Sequence, residues 1–295
     1  MTTTPAAPDA TLRAGLALRP MQRPVIFITG CGRSGTTILG ETLSRHPDIY
    51  YINDRFDIWV RPFPKTDVWG KRLDGASAGS ARIGLTADDA DSPAAALRFR
   101  EILNALCPHR PVLVEKLAIN NFRIGFLRAV VPEARFVNIL RHGVEVAFSI
   151  AARAEAGAWY GAADRKWHLL IEHAVLHGYS HLIPHVKTPY ERGLLEWRMS
   201  VEWAERETAA LGQGRLLRLR YEELIADPVA ACDRLIGFLG LPESDDMRSF
   251  AAGELRRQNP GAAERPAPPG TGPIAGETLR RLGYDWTPEA AGARA

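Results

Sequence analysis

The feature that most constrains this chain is a short apolar run that leads directly into a glycine-rich turn. Val25–Thr29 (VIFIT) is rich in β-branched residues, which is typical of a buried strand. The turn GCGRSGTT spans Gly30–Thr37, and apolar residues then recur at helical spacing over Thr37–Arg45. A strand, a glycine-rich turn and a helix in this order predict a phosphate-binding loop.

The composition of the turn indicates which phosphate it binds. Glycines let the backbone turn tightly, so that successive N–H groups point at one anion, and the helix N-terminus adds partial positive charge. The lysine usual in nucleotide-triphosphate loops is absent, Thr36 stands in its place, and the positive charge comes earlier, at Arg33. We therefore expect a phosphate site that differs from the magnesium-dependent ATP site, although a glycine turn without a ligand stays open. The predicted binding residues are Gly32, Arg33, Ser34, Gly35, Thr36 and Thr37.

Short apolar strands alternate with helices along the rest of the chain. This alternation predicts an α/β fold, with a central, mainly parallel sheet between two layers of helices. The further predicted strands are Ile49–Ile52, Val112–Val114, Arg135–Leu140 and Leu216–Leu219. The further predicted helices are Asn121–Val130, one from Val144, and two after the last strand, the second being Pro228–Leu239.

Length and charge narrow the function classes. The 295 residues suit one large domain, and 37 basic against 34 acidic side chains give a net charge of +3, which argues against a dedicated nucleic-acid binder. No apolar run is long enough to span a membrane. The three cysteines have no metal or redox spacing, and the first residues lack the apolar core of a secretory signal, so we expect a cytoplasmic protein.

The domain prediction follows from the same pass along the chain. Residues 1–23 are expected to form a flexible tail, residues 24–288 a single domain, and residues 289–295 a second tail. Two stretches interrupt the strand–helix alternation, at 61–110 and 154–194, and we expect these insertions to hold the substrate specificity. The Pro/Gly/Ala-rich segment Gly261–Gly276 is predicted to be a long mobile loop.

The motifs taken together resemble the sulfotransferases that use 3′-phosphoadenosine-5′-phosphosulfate (PAPS), and especially the tyrosylprotein and carbohydrate branch. Arg33–Thr37 matches the family's R-S-G-T-T loop, and His46-Pro47-Asp48 is followed by an acidic residue, Asp54, at the family's offset, where relatives usually carry Glu. Lys116 occupies the place of a family lysine. The resemblance implies the same three-layer fold.

The second half of the chain carries the remaining matches. Arg141 at a strand end, with Ser149 eight residues later, resembles the family's 3′-phosphate motif, although His142-Gly143 replaces the usual Asp-Pro or Asp-Gly. The segments from Arg220 to Pro242 and from Leu282 to Trp286 also resemble family segments.

The resemblance implies a role for each matched residue. Asp54, Arg33 and Lys116 would be catalytic, and Arg141 and Ser149 would hold the 3′-phosphate of PAPS, with no metal required. Alternatives remain for several positions: Asp57 or Asp48 as the base, a salt bridge between Lys116 and Glu115, and a surface role for Ser149. The expected product is an O-sulfate ester of a small-molecule, lipid or carbohydrate acceptor. A small-molecule P-loop kinase and a non-catalytic nucleotide-binding protein are the alternative functions.

Four histidines recur at every fourth residue in the second interrupting stretch, at His173, His177, His181 and His185. Such spacing can bind zinc on an uninterrupted helix. Gly178 and Pro184 break the pattern, so we favour an acceptor-pocket or surface segment over a metal site. Nearby aromatic residues would line an aromatic or sugar-binding wall or belong to the core; they are Trp159, Tyr160, Trp167 and Tyr179.

Overall fold

The computed structural model describes residues 21–70, 81–255 and 266–288. Its centre is a five-stranded sheet in which every neighbouring pair is parallel. The strands are β1 (Val25–Thr29), β2 (Ile49–Asn53), β3 (Val112–Lys116), β4 (Arg135–Leu140) and β5 (Leu216–Arg220). All five lie where the apolar runs predicted them, so the expected parallel α/β sheet is confirmed.

The strand order is β2-β3-β1-β4-β5, which places β1 at the centre. Ile28 of β1 is in register with Lys116 of β3 on one side, and Thr29 is in register with Asn138 of β4 on the other. The chain therefore leaves β1 between the carboxyl ends of β3 and β4. In open α/β sheets this is where ligands bind, because connections diverge there and leave a crevice.

Helices cover both faces of the sheet. Those described are α1 (Thr36–Ser44), α2 (Phe56–Val60), α3 (Pro93–Ala105), α4 (Ile124–Val130), α5 (Gly143–Glu155), α6 (Arg165–Leu176), α7 (Pro189–Thr208), α8 (Tyr221–Ala226), α9 (Pro228–Leu239), α10 (Asp245–Phe250) and α11 (Thr271–Arg281). One apolar cluster packs α1, α8 and α9 on one face, and a larger one packs α3 to α7 and α11 on the other. This is the predicted three-layer arrangement.

Two local predictions differ from the structure. The predicted helix over Asn121–Val130 is divided, with a 3-10 turn at Asn120–Phe122 before α4. The predicted loop over Gly261–Gly276 is wrong from Thr271 onward, where α11 begins, while residues 261–265 lie outside the described residues. The glycines of α11 let the indole of Trp286 pack closely, since a Cβ at Gly272 or at Gly276 would lie 3.3 Å from that ring.

The expected tails and interrupting stretches lie partly outside the described residues. Residues 1–20, 71–80 and 289–295 are not described. Arg23, within the expected first tail, is 9% exposed, and its guanidinium donates hydrogen bonds to carbonyls at the end of α3 and just beyond it, including those of Leu103 and Arg110. The second stretch forms α6, a 3-10 segment and the first turns of α7.

Candidate active site

The turn after β1 has the backbone of an anion-binding loop. Arg33 and Gly35 adopt positive φ angles of 72° and 91°, and Gly35 is the N-cap of α1. No side chain caps this helix, and its first turn contains no acidic residue. The hydroxyl of Ser34 is buried without a protein partner. A bound phosphate would accept hydrogen bonds from these groups, so the loop fits the phosphate that the sequence predicted.

The phosphate loop contacts the second motif, which consists of Arg141 and Ser149. The Arg33 guanidinium donates through Nε to Oγ of Ser149, at 3.0 Å, and Arg141 donates through Nη1 to the carbonyl oxygen of Arg33, at 3.1 Å. Ser149 lies on α5, and Arg141 follows β4. Two motifs more than 100 residues apart in the chain therefore form one site, at the crevice where the chain leaves β1.

A cavity of about 160 Å³ opens between them. Its lining residues are Arg33, Gly35, Thr36, Thr37, Ile38, Arg141 and Tyr221. Tyr221 lies beneath the site, with its ring 4.3 Å from the guanidinium carbon of Arg141. A Cβ at Gly35 would come within 2.5 Å of the Tyr221 ring, so Gly35 is required by close packing as well as by its backbone angle.

The positive charge of the site is more concentrated than the sequence motifs indicated. Burial lowers the pKa of Arg33, and the nearby charges of Arg153 and Arg141 lower it further. Arg153 is one helical turn beyond Ser149 on α5, close enough for its charge to act on Arg33. A doubly charged phosphate would relieve the mutual repulsion of these guanidinium groups. Arg153 was not among the predicted site residues, although its i, i+4 spacing from Ser149 places the two side chains on the same face of a helix.

Two neighbours, on α5 and α7, contact Arg141, and the next residue in the chain caps α5. Glu145, one turn later on α5, approaches it at 3.8 Å, and the indole Nε1 of Trp197 donates to its carbonyl oxygen at 3.0 Å. His142 is the N-cap of α5 and accepts a hydrogen bond from the N–H of Val144. The histidine that replaces the family's usual aspartate thus still caps the helix.

The candidate base and the candidate lysine form an ion pair. Lys116 Nζ donates to Asp54 Oδ2 at 2.7 Å, and the backbone N–H of Ala118 donates to Asp54 Oδ1 at 3.2 Å. The Lys116 side chain is 2% exposed and that of Asp54 is 36% exposed. Lys116 is paired in register with Ile28, two residues before the phosphate loop begins. A carboxylate and an ammonium group therefore lie beside the loop, at the carboxyl ends of the strands.

The alternatives considered for these positions fit the structure less well. Asp57 is exposed and pairs with Arg55, which lowers the pKa of the Asp57 carboxyl through a hydrogen bond. Asp48 precedes β2 and lies at the opposite edge of the sheet. Glu115 does not pair with Lys116, because successive strand side chains point to opposite faces.

Glu115 instead anchors α2 beneath the site. Its carboxylate accepts hydrogen bonds from Nε1 of Trp59, at 2.7 Å, and from Nδ2 of Asn120, at 2.8 Å. Burial raises the pKa of Glu115 to about 7. The helix that follows Asp54 is fixed to the sheet in this way.

A second buried ion pair joins the stretch 154–194 to the phosphate loop. Lys166 of α6 and Glu196 of α7 are 2.6 Å apart and only 1% and 2% exposed. Glu196 also accepts a hydrogen bond from Nε1 of Trp159, at 2.9 Å. The Trp159 ring lies against Gly32, where a Cβ would be 2.4 Å from it. No local pattern predicts this contact, because its partners are far apart in the chain.

The four spaced histidines do not form a common face. α6 ends at Leu176, and His181 and His185 lie exposed in a 3-10 segment that contains Pro184. His173 is buried among aromatic rings, with Trp203 at 4.7 Å and Phe122 at 5.3 Å between centroids. Within the described ranges, no group of three or more metal-ligating side chains is positioned to hold an ion.

A larger cavity, of about 310 Å³, lies at the outer edge of β5. Its polar lining groups already interact with one another or with the backbone: Arg234 pairs with Glu223 at 3.1 Å, and Arg220 donates to the carbonyl oxygen of Leu282. We assign the candidate active site to the smaller cavity, because the unsatisfied loop groups and the unbalanced positive charge are there.

Fold and site together define an α/β protein with the backbone geometry of an anion-binding loop but without the lysine of nucleoside-triphosphate loops. Comparison with protein families gives the narrower class: residues 24–246 match the sulfotransferase family. The chain therefore belongs to the sulfotransferase family, as the resemblance of its motifs predicted.

Individual relatives agree with this assignment. The chain is 24% identical over 253 residues to protein-tyrosine sulfotransferase 1 of Danio rerio, covering 80% of this chain and 60% of the relative. It is 29% identical over 159 residues to protein-tyrosine sulfotransferase 1 of Mus musculus, covering 50% of this chain and 40% of the relative. The chain thus spans less than two thirds of the length of these relatives.

Two solved structures share the fold. A sulfotransferase from Mycobacterium avium has a TM-score of 0.54 at 15% identity, covering 92% of this chain and 79% of that one. The sulfotransferase domain from the curacin biosynthetic pathway has a TM-score of 0.52 at 16% identity, covering 90% of this chain and 99% of that one. No helix among the described segments is long and apolar enough to cross a membrane.

Proposed function

We propose that this protein transfers the sulfuryl group of PAPS to an acceptor hydroxyl, which yields an O-sulfate ester and adenosine 3′,5′-bisphosphate (PAP). The observation that carries the proposal is the single cavity shared by Arg33 of the phosphate loop and Arg141 of the second motif. A nucleotide with phosphates at both the 5′ and the 3′ positions matches two adjacent cationic sites. ATP does not match these two sites, because its phosphates form one chain attached at the 5′ position.

In this proposal the residues divide between binding and chemistry. The loop from Gly32 to Thr37 binds the 5′ end, and Arg141 and Ser149 bind the 3′-phosphate, helped by Arg153. Arg is suited to this because its planar fork engages two phosphate oxygens. The bond that breaks joins sulfur to the oxygen of the 5′-phosphate, and Arg33 and Lys116 stabilise the negative charge that develops there.

Asp54 accepts the proton from the acceptor hydroxyl as its oxygen bonds to sulfur. Two of the lone pairs on its carboxylate are already used, by Lys116 and by the N–H of Ala118, and about two remain for the incoming hydroxyl. The pair with Lys116 fixes the direction of the carboxylate. It also places the ammonium group within the same site as the leaving oxygen.

The acceptor is a hydroxyl compound of the small-molecule, lipid or carbohydrate classes, and the expected location is cytoplasmic. Cys31, Cys107 and Cys232 are all free in the structure, which is consistent with a reducing compartment. Burial also raises the pKa of the thiols of Cys31 and Cys232. A test of location is fractionation of the native host, in which recovery with membranes or secreted protein would contradict it.

Sulfate transfer from PAPS labelled at sulfur tests the activity, and PAP binding tests the site. Loss of a charged hydrogen bond costs about 1.5–3 kcal/mol, so Arg141→Ala should weaken PAP binding by roughly 10- to 100-fold. Arg128→Ala, which removes an exposed guanidinium bonded to the carbonyl of Ala210, is the matched control. Equal PAP affinity in the two variants would reject the 3′-phosphate assignment.

A further inference from the structure

A series of aromatic side chains connects the candidate base to the phosphate loop. Phe56 lies two residues beyond Asp54, and its ring meets Trp69 edge to face, with 4.6 Å between centroids. Trp159 lies at the other end of the series, against Gly32 of the loop. The three aromatic side chains are all partly exposed. Apolar rings that stay open to solvent beside a site of chemistry are a surface on which a ligand can pack.

Lys166 links the two tryptophans of this series. Its ammonium nitrogen lies 4.1 Å from the centroid of the Trp159 ring and 6.0 Å from that of Trp69. The same nitrogen pairs with Glu196, which accepts the indole hydrogen bond of Trp159. The indole is thus fixed both through its N–H and through one of its faces.

The burial of this ion pair indicates a role beyond stability. Removing two charges from water costs several kcal/mol, and an apolar pair of similar volume often gives equal or greater stability. Lys166 and Glu196 are 1% and 2% exposed, so this cost applies in full. An apolar pair would not accept the indole hydrogen bond of Trp159, so it would not fix the orientation of that ring.

The aromatic series lies along the path by which the acceptor must approach the sulfur atom. Sulfuryl transfer requires the acceptor oxygen to approach in line, with the leaving oxygen on the far side of sulfur. The acceptor must therefore lie between the loop and the base. Trp159 covers the loop at Gly32, the residue before Arg33, and Phe56 follows Asp54, so the aromatic series borders that approach.

We propose that Trp159, Trp69 and Phe56 form the wall on which the acceptor packs, and that Lys166 and Glu196 are positioning residues that hold Trp159 in place. This inference rests on the proposed function. It assigns the acceptor a flat ring that carries the reacting hydroxyl, either an aromatic ring or the apolar face of a sugar. A linear alcohol lacks such a face and gains little from this surface.

Initial rates with labelled PAPS and three probes test the inference: 2-naphthol, methyl β-D-glucopyranoside and 1-octanol. A ring acceptor should exceed 1-octanol in kcat/KM, and the better of the two rings distinguishes aromatic from sugar acceptors. Stacking on an aromatic residue is typically worth about 1–3 kcal/mol, so Trp159→Ala should raise the KM of the better ring by roughly tenfold or more. PAP affinity should be unchanged. Trp159→Phe, which keeps a ring but loses the bond to Glu196, should be intermediate.

The positioning role needs a variant that folds without the pair. Lys166→Met/Glu196→Met replaces both charges with apolar groups and should keep thermal stability, while the KM of the ring acceptor rises as in Trp159→Ala. Phe238→Ala is the control, because this partly exposed ring packs on Arg135 at the opposite edge of the sheet. Its KM should equal that of the unmodified protein.

The outcomes separate the two proposals. If PAP binds and Arg141→Ala weakens PAP binding, the cofactor assignment stands. Three results would then reject the proposed acceptor wall: a preference for 1-octanol, no reaction with either ring acceptor, or an unchanged KM in Trp159→Ala. If the folded double variant keeps the original KM, Lys166 and Glu196 have no positioning role. If PAP does not bind to the unmodified protein, the proposed function fails and the wall fails with it.

Discussion

Asp54 has an unusual backbone for a residue that is not glycine. Its φ angle is 47°, in the left-handed region, which costs an ordinary residue about 1–2 kcal/mol, although Asp and Asn tolerate it better than most. The surrounding structure maintains it: the Asp54 N–H donates to the carbonyl of Lys116 at 2.9 Å, and its side chain bonds to Lys116 and Ala118. Such strain is typical of residues whose position serves the chemistry.

The first prediction concerns the charge of this carboxylate. Asp54→Asn keeps the shape and the tolerance for left-handed φ but removes the base, so kcat should fall by about 10²–10⁴-fold. PAP affinity should remain within about twofold, since the substitution leaves every group proposed to hold PAP in place. Steady-state rates and PAP titration measure the two effects. Asp57→Asn, which changes an exposed carboxylate paired with Arg55, is the control, and an unaltered kcat in Asp54→Asn would move the base elsewhere.

A second residue-scale prediction concerns the buried His173. Burial lowers its pKa to about 3, from 6.5, so between these values the unfolded chain binds a proton that the folded chain does not. Stability is therefore lost as pH falls below 6.5, and the loss from this residue reaches about 2 kcal/mol at pH 5. His173→Phe removes the titrating group and keeps the ring contacts, so urea unfolding at pH 7 and pH 5 should differ less in the variant.

The exposed His181 supplies the control for that experiment. His181→Phe changes a side chain that is solvated in the folded and the unfolded chain, so the loss between pH 7 and pH 5 should match that of the unmodified protein. The buried Nε2 of His173 has no partner, which is why phenylalanine can replace it without leaving a new donor unpaired. An identical pH dependence in His173→Phe would show that this histidine does not carry the effect.

The residues whose roles the sequence predicted differ from those whose contacts it did not predict in how they are recognised. Arg33, Arg141 and Ser149 lie in local motifs with a fixed spacing, and in the structure Arg33 is hydrogen-bonded both to Ser149 and to Arg141. Tyr221 and Trp159 contribute through contacts with Gly35 and Gly32, which no local spacing encodes. Residue type alone does not distinguish such aromatic residues from ordinary core.

At the scale of elements, the contact between the phosphate loop and the stretch 154–194 yields a third prediction. Gly32 has no positive φ, so an alanine there is opposed by the Trp159 ring and not by the backbone. Overpacking of this kind costs about 1–3 kcal/mol, and Gly32→Ala should lower the free energy of unfolding by that amount. Adding Trp159→Leu should reduce the cost of the alanine substitution, because the flat ring that it meets is gone.

Urea unfolding of the two single variants and the double variant gives the coupling between these positions. Gly237→Ala is the control, since this glycine lies within α9 with nothing near its missing Cβ, and alanine there should be neutral or stabilising by about 0.5–1 kcal/mol. Additive effects of Gly32→Ala and Trp159→Leu would mean that the loop and the aromatic stretch are not in contact in solution.

Elements were predictable where the apolar pattern was strong and local. The five strands and α9 follow from short apolar runs and from Pro228 at a first turn, and the structure has them at those positions. α11 was missed because Gly272, Pro273 and Gly276 are poor helix formers. Its helical state depends on tertiary packing, including the contact of those glycines with Trp286.

At the scale of the whole molecule, near-neutral net charge coexists with a strongly cationic site. The chain has a formal charge of only +3, yet Arg33 and Arg141 line one cavity, and the charge of Arg153 also acts on Arg33. In the part of the chain that the structure describes, most other arginines are engaged in ion pairs or carbonyl contacts, as in the pairing of Arg281 with Glu205. Under the proposed function, the position of these charges, rather than their sum, would select a doubly phosphorylated nucleotide.

The last prediction uses this selectivity to test the molecule as one unit. PAP would bridge the loop after β1 and the helix after β4, contacts that exist only in the folded chain, so its binding should raise the Tm. At about 100 times Kd the stabilisation is about 2.7 kcal/mol, which for a domain of this size corresponds to about 5 °C. ADP lacks the 3′-phosphate that Arg141 and Ser149 would bind and should give a clearly smaller shift at equal concentration. In Arg141→Ala the two shifts should converge, whereas equal shifts from PAP and ADP in the unmodified protein would mean that the second motif does not read the 3′-phosphate.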